Sequence, residues 1–161
     1  MITHLKSVAI AAVGGALFLS GAALAESFSG PDEAVDYITT VTETQSKPFY
    51  NGSYYKIEIS APDTCTLVKT TSDYSEENEL KKTVVTTYDV GLIDPAKVQV
   101  DHIGGVKFWS VGEATVFPME TTMGGNFNAM LPGDNFTVRD EAAESGLLAD
   151  ALKYLAGHCA G

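Results

Sequence analysis

The stretch "SYYKIEISAPDTCTLVKTT" at residues 53–71 decides the fold class of this 161-residue chain. In its first half, Tyr55, Ile57 and Ile59 share one face of an extended strand, and charged side chains occupy the other face. Such alternation is typical of a half-buried β-strand. A turn containing proline and aspartate follows, and residues 65–71 then form a second β-branched run. The stretch therefore predicts two consecutive strands.

Similar runs recur towards the C-terminus, for example at residues 83–90 and 106–112. They are separated by a charged loop at 72–82 and by turn signals such as Gly104-Gly105 and "PGD". In the run at 97–102, we expect Val98 and Val100 to point inward. The sequence predicts about seven short strands in an antiparallel sheet that curls.

Two helices are predicted to frame these strands. The first begins near Pro31, and its apolar stripe comprises Ala34, Tyr37, Ile38 and Val41. The second is capped by Asp140 and continues to Gly157. Gly146, in its interior, is unfavourable for a helix and is tolerable if the helix backbone approaches the sheet closely. The apolar face of the second helix comprises Leu147, Leu148, Ala151, Leu152 and Leu155.

This order of elements, with a closing C-terminal helix, resembles the pleckstrin-homology-like roll. The segment "TTYDVGLIDPAKVQVD" (86–101) is similar to the third and fourth strands of such domains, and the resemblance covers most of residues 53–158. It implies an α+β roll. Phosphoinositide binding is not carried over, because the early hairpin offers only Lys56 and Lys69 between acidic residues. A helix-grip fold and a cystatin-like sheet are alternative architectures.

The first 25 residues have the pattern of a cleavable export signal. Lys6 precedes a long apolar run, and Ala23-Leu24-Ala25 is a small-x-small cleavage site before Glu26. The alternative is a membrane anchor. We expect cleavage, which leaves one globular domain at residues 26–161, periplasmic or secreted, without stable membrane insertion.

The net charge of the chain argues against two classes of ligand, and its two cysteines predict a disulfide. Loss of Lys6 with the signal leaves nine basic and 21 acidic residues, a net charge of −12. Such a charge repels nucleic acids and anionic lipid surfaces. The two cysteines, Cys65 and Cys159, are expected to form a disulfide in an oxidising compartment.

Methionine clustering suggests one metal-binding hypothesis. Met119, Met123 and Met130 lie close together in sequence, His102 is a further candidate ligand, and thioethers select copper(I). The alternative is that these methionines fill the core. Neither histidine of residues 26–161 belongs to a zinc-binding motif, so we expect no cofactor.

Aromatic residues provide the leading binding hypothesis. Tyr50, Tyr54 and Tyr55 surround an Asn-Gly turn, and Trp109 alternates with Phe108. Exposed aromatic side chains favour recognition, although the N-terminal helix is an alternative partner for them. With no catalytic motif, the sequence predicts a non-enzymatic binding or accessory protein of the bacterial cell envelope, recognising a protein or small molecule. Copper(I) handling and a small hydrolase with unidentified carboxylates are the alternatives.

Overall fold

The computed structural model describes residues 27–42, 44–46, 48–102, 104–122, 126–138 and 141–161. The expected export signal lies outside these residues, as does the expected helix cap Asp140. Over the described ranges the helices are α1 (Pro31–Val41) and α2 (Glu141–Cys159). The strands there are β1 (Thr44–Gln45), β2 (Tyr54–Asp63), β3 (Thr66–Tyr74), β4 (Leu80–Asp89), β5 (Gln99–Val100), β6 (Val106–Trp109), β7 (Phe117–Thr122), β8 (Asn126–Leu131) and β9 (Gly133–Phe136).

These strands form two antiparallel sheets. The larger has the order β1-β2-β3-β4-β7-β8, and the smaller has the order β5-β6-β9. The predicted α+β class, with an N-terminal helix, antiparallel sheets and a C-terminal helix, is confirmed. The resemblance to a pleckstrin-homology-like roll stays a prediction.

Aromatic side chains pack between the two sheets. Tyr88 and Phe117 belong to the larger sheet, Phe108 and Phe136 to the smaller, and all four are fully buried. Their ring centroids lie between 4.9 and 6.1 Å apart, mostly edge to face. Edge-to-face contacts add to the free energy gained by burial. This cluster is the centre of the core.

The helices cover the rest of the core. In α1, Ala34, Ile38 and Val41 are buried as predicted. In α2, Leu147 is exposed instead of buried, and a Cβ added at Gly146 would meet no atom within 4 Å. The predicted burial of Leu147 was wrong, and Gly146 does not approach the sheet closely, because both residues lie on the side of the helix turned to solvent. Within that predicted face, the buried residues are Leu148, Ala151, Leu152 and Leu155.

β3 and β4 are longer than predicted, and β5 and β6 are shorter. β3 continues to Tyr74 and β4 begins at Leu80, so the loop between them is only residues 75–79. Backbone pairing extends these strands through polar residues that alternation alone assigns to a loop. β5 contains only two residues, Val100 is exposed, and Asp101 is buried in its place.

A charged network joins the two sheets. The Lys69 ammonium of β3 lies 3.0 Å from the Asp134 carboxylate of β9 and donates a 2.8 Å hydrogen bond to the Asn135 carbonyl. The Tyr88 hydroxyl donates to the same carboxylate oxygen of Asp134. Burial, and then the nearby Asp134 charge, raise the pKa of Tyr88, which keeps the phenol protonated as a donor.

The predicted disulfide is confirmed. Cys65 and Cys159 are bonded and lie 94 residues apart in sequence. Beside the bond, a Cβ added at Gly91 would lie 2.5 Å from the Cys159 carbonyl oxygen. The end of α2 is therefore held against both β3 and the turn after β4.

Replacing both Cys65 and Cys159 with alanine is expected to lower the free energy of unfolding. The chain-entropy model predicts a loss of about 4–5 kcal/mol for a loop of this length. Urea unfolding of the oxidised protein and of the double variant measures the difference. A loss of less than about 1 kcal/mol would contradict this effect on the unfolded chain.

Asp134→Ala is expected to cost about 3–5 kcal/mol, because it leaves the Lys69 ammonium without its carboxylate in a site where both side chains are mostly buried. The matched control is Glu79→Ala, which removes an exposed ion pair with Lys81 and is expected to leave the free energy of unfolding nearly unchanged, because solvent screens that pair. Urea unfolding at neutral pH compares the two variants. Equal losses would show that the network does not join the sheets energetically.

Candidate functional site

A groove of about 520 Å³ opens where the larger sheet meets the turn before β2. We call it the aromatic groove. It is lined by Phe49, Ser53, Tyr54, Tyr55, Asp73, Tyr74, Ser75 and Lys81.

The pairing of β2 with β3 builds one wall of the groove. Tyr54 and Tyr74 are direct cross-strand partners, and their rings stack with centroids 5.1 Å apart and planes 12° from parallel. The Lys56 ammonium lies 5.5 Å from the centroid of the Tyr74 ring, within cation–π distance. The Tyr54 hydroxyl donates a 2.9 Å hydrogen bond to the Asn78 side chain of the next loop. These contacts orient both rings before any ligand arrives.

The turn at residues 49–53 contributes Phe49 and Ser53 to the groove. The backbone N–H of Phe49 donates to the Ser53 carbonyl at 2.7 Å, and that of Gly52 donates to the Phe49 carbonyl at 2.9 Å. The Asn51 side chain accepts from both the backbone N–H and the hydroxyl of Ser53. This pattern holds Phe49 with its ring centroid 6.0 Å from that of Tyr55.

Gly52 allows this turn to approach the loop at 75–79. Its φ is +77°, a conformation that favours glycine, and an added Cβ would lie 2.7 Å from the Glu76 Cβ. The turn and the loop therefore meet in van der Waals contact at the rim of the groove.

Polar groups complete the groove. Lys81 pairs with the Glu79 carboxylate at 2.6 Å, a contact that lowers the pKa of Glu79 and raises that of Lys81. Both side chains are exposed. Ser53, Ser75 and Asp73 add hydroxyl and carboxylate groups among the rings. Chemically, the arrangement suits a ligand that stacks an apolar face on the rings and hydrogen-bonds at its edges.

The four aromatic residues predicted from sequence are only partly brought together. Tyr54 and Tyr55 line the groove, and Tyr50 is fully exposed in the turn beside it. Trp109 lies in the smaller sheet, paired with Gly133, and does not line the groove. Trp109 and Phe108 do point to opposite faces of β6, with Phe108 buried.

Tyr74 and Asp73 are groove residues that the sequence reasoning missed. They fall within the stretch first interpreted as a charged loop. A signal was available, because a hairpin that turns at residues 64 and 65 brings residues 74 and 75 level with residue 54 if the strands continue. The register shift between Ser60 and Asp63 has to be allowed for in this count.

The methionines do not converge in the described part of the chain. Met119 pairs with Ala129, whereas Met130 pairs with Pro118. Adjacent positions along a strand face opposite sides of a sheet, so Met119 and Met130 point to opposite faces. Met123 lies outside the described residues. The copper(I) hypothesis stays a prediction, because Met119 and Met130 are not brought together to bind one ion.

His102, the fourth candidate ligand, is exposed and makes a local contact. Its Nδ1 lies 2.9 Å from one carboxylate oxygen of buried Asp101. The Lys107 ammonium lies 3.0 Å from the other carboxylate oxygen, without the geometry of a hydrogen bond. Lys107 first, and His102 to a smaller extent, lower the pKa of Asp101. Among the described residues, no group of three or more histidine, cysteine, aspartate or glutamate side chains could hold a metal ion.

Comparison with known proteins does not identify a function for this groove. No family model, curated protein or solved structure matches the chain. Within the described ranges, neither helix has the length and apolar character needed to cross a membrane.

Gly52→Ala is expected to destabilise the protein more than Gly112→Ala. Both glycines have positive φ, which costs an alanine about 1–2 kcal/mol. An added Cβ at Gly112 meets nothing within 4 Å, whereas at Gly52 it meets Glu76. Crowding of this kind typically costs a further 1–3 kcal/mol or so.

Urea unfolding gives both losses, and amide NMR shifts at Tyr54 and Tyr74 report whether the groove has changed. Equal losses with unchanged groove signals would show that the contact with Glu76 does not hold the turn in place.

Proposed function

We propose that this protein is an exported, non-enzymatic binding module of the bacterial cell envelope that holds its ligand in the aromatic groove. The observation that carries the proposal is the groove of about 520 Å³ lined by four aromatic residues, Phe49, Tyr54, Tyr55 and Tyr74, of which Tyr54 and Tyr74 are stacked in advance. Ligand sites in proteins commonly measure about 300–1,000 Å³ and combine apolar walls with a few polar groups.

Preordering supports binding for an energetic reason. A side chain that is immobilised by its ligand loses rotamer entropy, at about 0.5–1.5 kcal/mol each. Tyr54 and Tyr74 are already stacked on each other, and Tyr54 is hydrogen-bonded to Asn78. Less entropy is therefore lost when a ligand contacts them.

Export of the protein is supported by features outside the groove. The pattern of residues 1–25 supports export, and the disulfide between Cys65 and Cys159 suits an oxidising compartment. The excess of acidic residues disfavours nucleic acids and anionic lipids as ligands. A protein surface or a small molecule with an apolar face fits the groove best.

A photoreactive phenylalanine derivative at position 50 tests the proposal, because Tyr50 is fully exposed beside the groove. Irradiation of the protein in the envelope of its own host is expected to give a defined adduct by mass spectrometry. The matched control carries the same group at Val111, an exposed residue in the turn after β6 that does not line the groove.

The double variant Tyr54→Ala/Tyr74→Ala, in the position-50 background, is expected to reduce the adduct about tenfold or more, equivalent to ~1.4 kcal/mol of binding free energy. Circular dichroism checks that this variant is folded. An adduct that persists in the double variant, or that forms equally from position 111, would refute binding in the groove.

A further inference from the structure

Strand β8 forms an open edge of the larger sheet. Among the described residues, only β7 pairs with it. An edge strand presents backbone N–H and C=O groups that can pair with another extended chain. The six residues of β8, "NFNAML", include no charge and no proline, and the pairing with β7 has no register shift.

The other sheet edges in the described part of the chain carry features that hinder such pairing. The part of β2 that β1 leaves unpaired contains Glu58, Pro62 and a register shift before Asp63. β1 and β5 have two residues each. On β9, the Asn135 carbonyl already accepts a hydrogen bond from Lys69. Charges, proline, bulges and short length are the usual protections of an edge.

Two large apolar side chains on β8 are exposed. Phe127 is 62% exposed and Met130 is 50% exposed, and they lie on opposite faces of the sheet. A partner strand added at this edge would cover part of both. The edge thus offers apolar contacts on both faces as well as backbone hydrogen bonds.

We propose that β8 pairs antiparallel with β8 of a second copy of this chain, around a two-fold axis at Asn128. A two-fold axis perpendicular to the sheet keeps the cores of both copies on the same side of the joined sheet. When the axis passes through Asn128, residues 126–130 of one copy pair with residues 130–126 of the other. Phe127 then faces the second copy's Ala129, a large side chain beside a small one. A centre at Ala129 would instead place Phe127 against the second copy's Leu131. Contacts of this isologous kind are the commonest in homodimers.

The lack of charge on β8 permits a second copy at this edge and disfavours an acidic or basic partner. The chain carries a net charge of −11, so two copies repel each other over most of their surfaces. β8 is an uncharged strand, so like charges do not meet directly at this junction. It also lacks the charged side chains that would attract an oppositely charged peptide.

The dimer leaves both aromatic grooves open. The groove is built on β2 and β3, and β8 lies at the other end of the strand order. The proposal does not depend on the function of the groove.

Light scattering during size exclusion, with loading from micromolar to millimolar protein, tests the association. The wild type is expected to shift from monomer to dimer as concentration rises. Asn128→Lys places two ammonium groups opposite each other on the axis, and it is expected to weaken dimerisation at least tenfold. The matched control is Ser60→Lys, an exposed residue of β2 given the same change of charge. A wild type that stays monomeric, or equal effects of both lysines, would overturn the proposal.

Cysteine crosslinking tests the register. The two native cysteines are bonded to each other, so an added thiol is the free one. Asn128→Cys is expected to form a covalent dimer under mild oxidation. Met130→Cys lies on the same face but is expected not to form a covalent dimer. Its cysteine and that of the second copy would be four positions apart, about 13 Å along the strands. Crosslinking at 130 but not at 128 would overturn the proposed axis.

Discussion

The carboxylate of Asp134 determines how the two sheets meet. It lies in the smaller sheet and is contacted by Lys69 and Tyr88, both on neighbouring strands of the larger sheet. A mostly buried charge needs its partners in place, so sliding one sheet over the other would expose an unpaired ion to a poorly solvating environment. Apolar contacts between Tyr88, Phe108 and Phe136 tolerate small shifts far better. The ionic contact therefore selects one arrangement of the core.

The same strand connects this constraint to the groove. β3 carries Lys69 near its middle and ends at Asp73 and Tyr74. With Lys69 held from the opposite sheet, the far end of β3 is placed beside β2, where Tyr74 stacks on Tyr54. The groove is then completed by a turn that only glycine at position 52 allows to pack closely. A rigid core thus supports a binding surface made at strand ends.

Features that depend on local pattern were predictable from the sequence. Alternation placed Ile57 and Ile59 on the buried face of β2, and helical spacing placed Ala34, Ile38 and Val41 against the core. The disulfide followed from cysteine count and expected compartment, since only one pairing is possible. The predicted burial of Leu147 was wrong because helical spacing does not define how wide the covered face of α2 is.

Features that depend on which strands are neighbours were not predictable. Nothing in the residues of β4 indicates that β7 lies beside it, or that Asp134 on β9 reaches Lys69. Tyr74 was missed because its strand continues through polar residues, and Trp109 was grouped with the tyrosines because sequence cannot report that it lies in the other sheet. Chemical type identified two groove residues, Tyr54 and Tyr55, whereas strand pairing brings Asp73 and Tyr74 beside them and the turn at 49–53 adds Phe49 and Ser53.

The disulfide also constrains the order of events during folding. Its first cysteine immediately precedes β3, whereas its second is the last residue of α2, after every strand has been synthesised. During synthesis the covalent link cannot form until α2 has been made, so the pairing of β2, β3 and β4 can begin before it. A chain interrupted before α2 would keep Cys65 as a free thiol at the end of a hairpin turn.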